Sequence, residues 1–267
     1  MPQIVPPSAR LAPRAAAGLA GVALLTLTAC GGGGEDPAAE ESQTPEVPPA
    51  PEYTEIESDI WDTMLAAESV TLSVELSAAL MNPQASSDAV VEQEYTGSLD
   101  GTASTFHELN DGVTTEMNML EDAIYVPGEL ELESIARASG DAFSAEDFAA
   151  EFEGKWVDYS GQVDRSQAST AAFLEQMRSS MEDNGAASSL EGEAETREGE
   201  DVWVYTGGGV EAVVRAGDEP VLLSYAGESG GESVDLTFED WDASEGPEEP
   251  AEEDVLSLDE VRAIVTG

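Results

Sequence analysis

Strict alternation of apolar and polar side chains is the feature that most limits how this chain folds. Residues 70–77 and 233–239 each place apolar side chains at every second position. Because successive side chains of a β-strand point to opposite faces, such segments form strands with one face buried and one face in water. A helix cannot bury the apolar side chains of such a segment on one side. The two segments therefore predict a sheet with one covered face.

Further strands are predicted in two groups, separated by a helical region. Residues 102–109 and 113–120 flank Asn110-Asp111-Gly112, a sequence typical of a tight hairpin because Asp-Gly accepts positive φ. The other strand segments are residues 90–99, 124–126, 155–159, 190–196, 202–206, 210–215 and 221–225, and Gly207-Gly208-Gly209 is a β-turn between two of them. Together the strands predict one large antiparallel sheet.

Helical periodicity marks three segments. Apolar residues recur every four positions at Ile56, Ile60 and Met64 and, after Ser169 as the N-cap, at Phe173, Met177 and Met181. A shorter helix is predicted where Ser144 and Asp147 fit a capping box, with Phe143 and Phe148 placed as a hydrophobic staple. Strands and helices in this order predict an α+β domain.

The first thirty residues have the composition of an export signal. Arg10 and Arg14 precede an apolar run at 15–28, about 14 residues, which is shorter than the roughly 20 that span a bilayer. The run ends in Leu27-Thr28-Ala29-Cys30. This ending resembles a bacterial lipobox, which implies cleavage before Cys30 and acylation of its thiol. The alternatives are a plain secretory signal with a chance cysteine, or an uncleaved membrane anchor.

Composition divides the chain into four parts. Residues 1–29 are the predicted signal peptide, and residues 30–54 are the lipidated cysteine and a disordered acidic Gly/Pro tether. Residues 55–242 form the predicted domain, followed by an acidic loop and C-terminal tail at 243–267. Because the tether and the loop at 243–254 lack large apolar side chains, we expect both to be dispensable for folding.

The charge of the mature chain excludes one class of partner. All 57 acidic residues but only 7 of the 9 basic residues lie after the signal peptide, so its formal charge is 7 − 57 = −50. A field of this sign repels nucleic acid and anionic headgroups, and we expect no nucleic-acid binding. The acidic residues have no loop with the ligand spacing of a calcium site, so we interpret them as a solvated surface and expect no metal site.

Catalytic signatures are absent from the sequence. His107 is the only histidine, and its neighbours belong to a predicted strand, which favours a packed or surface residue. No nucleophile elbow, phosphate-binding loop or zinc-binding motif occurs. Cys30 is the only cysteine, so no disulfide forms within the mature chain. We therefore expect a protein that is not an enzyme and has no cofactor.

The candidate ligand-binding residues are apolar. They lie on predicted strands and helices that can face each other, and methionines among them suit an irregular apolar ligand such as an acyl chain. The set is Leu72, Val74, Leu76, Met117, Met119, Phe173, Met177, Met181, Val234, Leu236 and Phe238. An ordinary closed core explains the same residues.

The layout resembles the LolA-like half-barrel lipoproteins, in particular the LppX/LprG type of actinobacteria. The segments that carry the resemblance are the lipobox, SVTLSVEL, TEMNMLEDAIYV, KWVDYS, EGEAETREGEDVWVY and GESVDLTFEDWD, spread over most of residues 55–242. The resemblance implies a curved antiparallel half-barrel that wraps two to three helices around a cavity for lipid acyl chains. The sequence departs from the family at 206–210, where three glycines replace a longer helical stretch.

Two functions follow as expectations. The first is a membrane-anchored extracytoplasmic lipoprotein that binds a lipid or another apolar ligand in its half-barrel, as a lipid carrier of the cell envelope would. Its anchor to the cell membrane would be the N-terminal acyl groups. The second is a structural or sensory envelope lipoprotein with a filled core and a protein partner that the sequence does not identify.

The lipobox makes the anchor testable. Replacing Cys30 with Ser removes the only thiol that can be acylated, so we expect the variant to lose acylation and to accumulate unprocessed or soluble. The measurement is membrane fractionation after a carbonate wash, with lipid labelling of the wild type as the reference. Equal membrane retention of the variant and the wild type would contradict the anchor.

Overall fold

The described residues begin upstream of the first helix. The computed structural model describes residues 47–82, 84–86, 89–140, 143–162, 169–229 and 232–266. The predicted signal peptide, Cys30 and the tether as far as residue 46 lie outside these residues. Residues 47–52, also predicted as tether, lie against the sheet: the indole N–H of Trp203 donates to the Pro48 carbonyl at 2.9 Å, and the Tyr205 hydroxyl donates to the Pro51 carbonyl at 3.2 Å.

A single open sheet organises the described residues. Its strands are β1 (Ser69–Ser77), β2 (Val90–Ser98), β3 (Ala103–Asn110), β4 (Val113–Leu120), β5 (Ile124–Pro127), β6 (Trp156–Asp158), β7 (Glu191–Arg197), β8 (Glu200–Gly207), β9 (Val210–Arg215), β10 (Leu222–Ser229), β11 (Glu232–Glu239) and β12 (Val255–Ser257). Their order is β12-β6-β5-β4-β3-β2-β1-β11-β10-β9-β8-β7. Neighbouring strands are antiparallel except for β12 and β6, which are parallel. The predicted α+β half-barrel fold is confirmed, with this one parallel pair as an addition.

The turns between strands follow the sequence signals. Asp111 and Gly112 have φ values of 50° and 74°, as a two-residue hairpin turn between β3 and β4 requires. Gly208 and Gly209, with φ values of 62° and 85°, make the same kind of turn between β8 and β9. The three glycines therefore join two paired strands directly, as the turn prediction states.

Six helices lie within the described residues. They are α1 (Tyr53–Ala66), α2 (Ala78–Met81), α3 (Gly128–Ser139), α4 (Ala149–Phe152), α5 (Thr170–Asn184) and α6 (Leu258–Thr266). The predicted helices around Ile60 and Met177 correspond to α1 and α5. Helix α3 was not predicted, although Glu129 and Glu131 in its first turn and Arg137 in its last turn complement a helix dipole.

The predicted capping box is wrong. The Ser144 side chain makes no capping hydrogen bond, and a short 3-10 turn, Ala145–Asp147, precedes α4. The staple contact does form, because the rings of Phe143 and Phe148 stack with centroids 5.0 Å apart. The contact of Phe143 with Phe148 and the burial of Phe152 therefore stabilise this segment. A capping hydrogen bond from Ser144 does not contribute.

The main core covers one face of the sheet, named here the inner face. Leu72 lies opposite Phe238 and Val74 opposite Leu236 in the pairing of β1 with β11, and all four side chains are buried. Helices α1 and α5 cover them. The buried members are Tyr53, Ile60, Trp61, Met64, Val70, Leu72, Val74, Leu99, Leu174, Met181, Trp203, Tyr205, Ala212, Val214, Val221, Leu222, Leu236 and Phe238.

A second, smaller core lies at the β12 edge of the sheet. Leu132 of α3, Phe152 of α4, Val157 of β6 and Val261 of α6 are buried against one another. This cluster includes residues from the part of the chain predicted as an acidic loop and tail. The C-terminal residues thus complete the sheet with β12 and cover the cluster with α6.

The chain reaches β12 through a crossing segment, residues 240–254, on the outer face of the sheet. The Ser244 hydroxyl is 3.0 Å from the Thr71 hydroxyl and accepts a hydrogen bond from the Gly97 N–H at 3.2 Å. Thr71 alternates with buried Val70 and Leu72, which places the segment opposite the main core. The expected dispensable loop is therefore an ordered crossing that polar contacts hold, and hydropathy does not detect such contacts.

Gly246 makes the crossing segment testable. A Cβ at this position would meet the carbonyl oxygen and, at 2.8 Å, the Cβ of Ala103. We expect Gly246→Ala to lower the free energy of unfolding by about 1–3 kcal/mol, as overpacking does. Chemical denaturation measures the change, and Glu245→Ala, at an exposed neighbouring position, is the control. Equal stability of both variants would mean that the segment does not lie on the sheet.

The tyrosines predict how stability depends on alkaline pH. Burial raises the pKa of every tyrosine above 10.0, namely Tyr53, Tyr95, Tyr125, Tyr159, Tyr205 and Tyr225, and that of Tyr205 reaches about 12. The folded state therefore retains protons that the unfolded chain loses near pH 10. The contribution of these tyrosines to the free energy of unfolding is therefore complete below that pH. It falls as the pH rises from 10 towards 12.

Absorbance of tyrosinate checks this expectation. The folded protein is expected to develop little tyrosinate at pH 10, whereas the chain unfolded in urea titrates about that pH. The free energy of unfolding should decline over the same range. A full tyrosinate signal from protein that remains folded at pH 10 would contradict the burial of these side chains.

Candidate functional site: an apolar cavity between α5 and the sheet

A cavity of about 200 Å3 lies between α5 and the strands β10 and β11. Its walls are mainly apolar, with polar side chains among the exposed lining residues. The lining residues are Phe173, Gln176, Met177, Ser180, Met181, Tyr225, Gly227, Glu228, Val234 and Leu236. Gln176, Ser180 and Glu228 are exposed, so the polar groups form the rim of the cavity.

Helix α5 supplies the wall above the sheet. It begins where the Ser169 hydroxyl accepts a hydrogen bond from the Ala172 N–H at 3.2 Å, which confirms the predicted N-cap. Phe173, Met177 and Met181 follow at intervals of four residues and therefore lie along one side of the helix. Met181 is buried, whereas Phe173 and Met177 are half-buried. This side of α5 therefore packs into the main core at Met181 and lines the cavity with all three residues.

Strands β10 and β11 supply the floor. Val234 and Leu236 alternate with outward polar residues, and their partners on β10 are Gly227 and Tyr225. Gly227 has no side chain, and the Tyr225 side chain lies over it: a Cβ added to Gly227 would be 3.2 Å from the Tyr225 hydroxyl oxygen. Because Gly227 has no side chain, the Tyr225 ring can lie over it and form part of the floor of the cavity.

Aromatic side chains continue the inner face beyond the cavity. The ring of Phe173 stacks on Tyr95 of β2 with centroids 6.3 Å apart, and Tyr95 contacts Phe106 of β3 at 4.9 Å. Tyr95 and Phe106 are half-buried, as Phe173 is. The apolar surface thus extends from the cavity towards β3, with the helix side chain as the link.

The electrostatics of the site favour neutral groups. Burial raises the pKa of Tyr225, and burial together with the Glu108 carboxylate raises the pKa of Tyr95. Both phenols therefore stay protonated at neutral pH. Among the lining residues that the structure describes, Glu228 is the one with a charge, and it lies at the exposed rim.

Five of the eleven predicted ligand-binding residues line the cavity: Phe173, Met177, Met181, Val234 and Leu236. Leu72, Val74 and Phe238 are instead in the closed main core, and Leu76 packs against it. Met117 and Met119 lie on β4, three strands away from β1. Alternation assigns all the strand residues to one face, but it does not give their positions across the sheet.

The other five lining residues were missed by the sequence analysis. On α5, Gln176 directly precedes Met177 and Ser180 directly precedes Met181. Both polar residues therefore lie next to predicted side chains on the helix surface. Gly227 and Glu228 follow residue 225, where the strand was predicted to end, whereas β10 continues to Ser229. Tyr225 was included in that strand, but a shift of register between Leu222 and Ser224 interrupts the alternation just before it.

Other predicted features lie away from this site. His107 is a half-buried residue of β3, paired with Glu94 and Glu116 in the sheet register. In the residues that the structure describes, no group of three or more acidic, histidine or cysteine side chains is arranged to hold a metal ion. Among the same residues, no helix is both long enough and apolar enough to span a membrane.

Comparisons with known proteins give matches among solved structures. No protein-family model matches the sequence, and no curated protein matches it. The crystal structure of LprF from Mycobacterium bovis is similar at 12% identity and a TM-score of 0.45, with 76% of this chain and 99% of that chain covered.

Two further crystal structures are similar. Lipoprotein LppX from Mycobacterium tuberculosis has 12% identity and a TM-score of 0.37 over 74% of this chain and 96% of its own. A LolA superfamily protein from Nitrosomonas europaea has 12% identity and a TM-score of 0.25 over 75% of this chain and 96% of its own. LppX and the LolA superfamily are also the groups that the sequence patterns resemble.

Proposed function

We propose that this protein is an extracytoplasmic lipoprotein that binds one acyl chain, or an apolar ligand of similar width, between α5 and the sheet. The observation that carries the proposal is the cavity itself. Its walls are Phe, Met, Val and Leu side chains, and its polar groups lie at the exposed rim. Apolar walls with a few polar groups at the opening are typical of sites for apolar ligands.

The size of the cavity limits the ligand. Its volume of about 200 Å3 is below the roughly 300–1,000 Å3 of sites that enclose a drug-sized molecule. The volume accommodates a segment of one chain, whereas a complete long acyl chain or a lipid with several chains would also need the inner face beyond Phe173. Tyr95 and Phe106 extend the apolar surface in that direction, so a longer ligand has a path across β2 and β3.

The methionines suit this role. Met177 is half-buried at the cavity and Met181 is buried at its inner side. An unbranched thioether has several rotatable bonds and packs against irregular apolar surfaces. These side chains can therefore close the space when it is empty and withdraw when a ligand enters.

We further propose that the protein is held at the outer face of the cell membrane by acyl groups on Cys30. The support is the sequence Leu27-Thr28-Ala29-Cys30 after an apolar run that is preceded by Arg10 and Arg14. We propose binding, and not catalysis, as the activity, because the described residues that line the cavity include one carboxylate and neither histidine nor cysteine.

A filled structural core with a protein partner is the second candidate. The complete burial of Leu72, Val74 and Phe238 favours it, since these predicted ligand contacts are already satisfied by other side chains. The two candidates differ in what Met177 contacts. In the first it lines a space that a ligand fills, and in the second it is part of a solid core.

Met177→Trp separates them. If the indole fills the cavity, stability holds or rises and ligand binding falls, because the new ring occupies the space of the acyl chain. If the core is solid, overpacking lowers the free energy of unfolding by about 1–3 kcal/mol. Thermal unfolding and displacement of a fluorescent fatty-acyl probe from wild type and variant are the two measurements.

Met64→Trp is the matched control. Met64 is fully buried in the main core on α1, so enlarging it should destabilise the protein by about 1–3 kcal/mol in either case. Comparable losses for the two variants, together with no probe binding by the wild type, would reject the ligand-binding proposal. Retained stability and lost binding for Met177→Trp alone support it.

A further inference from the structure

One segment of this acidic chain carries no charge. Residues 76–87 contain no Asp, Glu, Lys, Arg or His, although the whole chain has 57 acidic residues. No other run of uncharged residues between residue 47 and the C-terminus is as long. The segment includes α2, so the absence of charge is concentrated on one short helix and the residues around it.

The same segment exposes large apolar side chains. Among the described residues, four large apolar side chains are exposed: Leu80 at 37%, Met81 at 53%, Val90 at 45% and Leu109 at 36%. Leu80 and Met81 belong to α2, and Val90 pairs with Ser77, the residue before α2. Leu80 and Met81 are named here the α2 patch, whereas Val90 lies outside the uncharged run and on the face of β2 that carries Glu92. Leu109 lies apart on β3, opposite Glu92 and Thr114.

The α2 patch adjoins the end of the sheet where the cavity opens. Leu76, one residue before Ser77, pairs with Val234, and Val234 pairs with Gly227. Val234 and Gly227 line the cavity, and Glu228 next to them is exposed at its rim. The Met81 sulfur accepts a hydrogen bond from the Gln93 side chain at 3.9 Å, which fixes this side chain next to β2.

We infer that the α2 patch docks on the surface of a lipid bilayer with uncharged or zwitterionic headgroups. An apolar surface without charge can enter the interfacial region of a bilayer, whereas the acidic surface around it cannot. Anionic headgroups repel a chain of formal charge −48, so the neutral patch is the part of the protein that approaches lipid at low cost. This docking goes beyond the proposed function and does not require an occupied cavity.

The orientation that follows is specific. With the α2 patch on the bilayer, the cavity rim at Gly227 and Glu228 lies near the membrane surface. Leu109 is then away from the bilayer, because its side chain faces the side of the sheet that carries Glu92, whereas Met81 contacts Gln93, whose side chain lies on the opposite face. Leu109 is therefore a matched control, as an exposed large apolar residue outside the patch.

Site-specific fluorescence tests the docking in the full chain. Cys30→Ser removes the only native cysteine, and Met81→Cys or Leu109→Cys then carries a polarity-sensitive label. Vesicles of phosphatidylcholine are added to each protein. We expect a blue shift of the label at 81 and none at 109, since residues 1–29 are common to both proteins. Vesicles rich in an anionic phospholipid should produce a weaker shift at 81.

A charge placed in the patch provides the second measurement. Leu80→Asp in the protein labelled at 81 should reduce vesicle-dependent binding at this position about tenfold or more, as loss of one buried leucine predicts. Leu109→Asp in the same background should leave it unchanged. Circular dichroism of each variant confirms that the fold is retained.

Three outcomes overturn the inference. They are no shift at 81, equal shifts at 81 and 109, and a shift at 81 that grows with protein concentration without vesicles, which assigns the patch to a second copy of the chain. Binding of the fatty-acyl probe by the unlabelled wild type is read separately. Failure of the cavity proposal is thus distinguishable from failure of the docking surface.

Discussion

The pairing of β1 with β11 is the contact on which the rest of the structure depends. It joins two groups of strands that are each built from chain neighbours, β1 to β6 and β7 to β11. The two strands are more than 150 residues apart in the sequence, so their association is the costly, non-local step of assembling the sheet. Leu72 opposite Phe238 and Val74 opposite Leu236 stabilise the pair by burying apolar surface under α1 and α5.

The cavity is a consequence of how α5 lies on this joined sheet. One side of the helix begins over Tyr95, continues over the β10–β11 floor and ends with Met181 in the main core. Met181 reaches the closed packing, whereas Phe173 and Met177 remain half-buried. A small floor residue, Gly227, and a half-buried ring, Tyr225, leave the space between helix and sheet incompletely filled. Core and cavity therefore share one helix, and the same residues explain both candidate functions.

Polar contacts complete the fold where apolar residues are few. The crossing segment is held by Ser244 against Thr71 and Gly97, and by the Lys155 ammonium, which contacts the Asp254 carboxylate at 2.7 Å. Lys155 is the only lysine of the chain. The chain has 57 acidic and only 9 basic residues, so solvent and salt must screen most of the acidic side chains. Hydrogen bonds to fixed backbone positions allow a segment of this composition to dock without a large apolar contribution.

The sequence by itself determined the elements that have a clear period or turn signal and which face of each is buried. Alternation at 70–77 and 233–239 placed Leu72, Val74, Leu236 and Phe238 on one face, and the four-residue spacing of Phe173, Met177 and Met181 gave the side of α5 that contacts it. Asp111-Gly112 gave the first hairpin. These are local properties of the chain, fixed by side-chain period and allowed φ values.

Only the tertiary structure decided which apolar residues meet. It separated Met117 and Met119 on β4 from the cavity, because strand order is set by long-range pairing and not by period. It brought Gln176, Tyr225, Gly227 and Glu228 to the cavity for the same reason. It also showed that residues 47–52 and 243–254, expected as unstructured segments, are docked, since hydrogen bonds such as those to Pro48 and Ser244 leave no apolar pattern in the sequence.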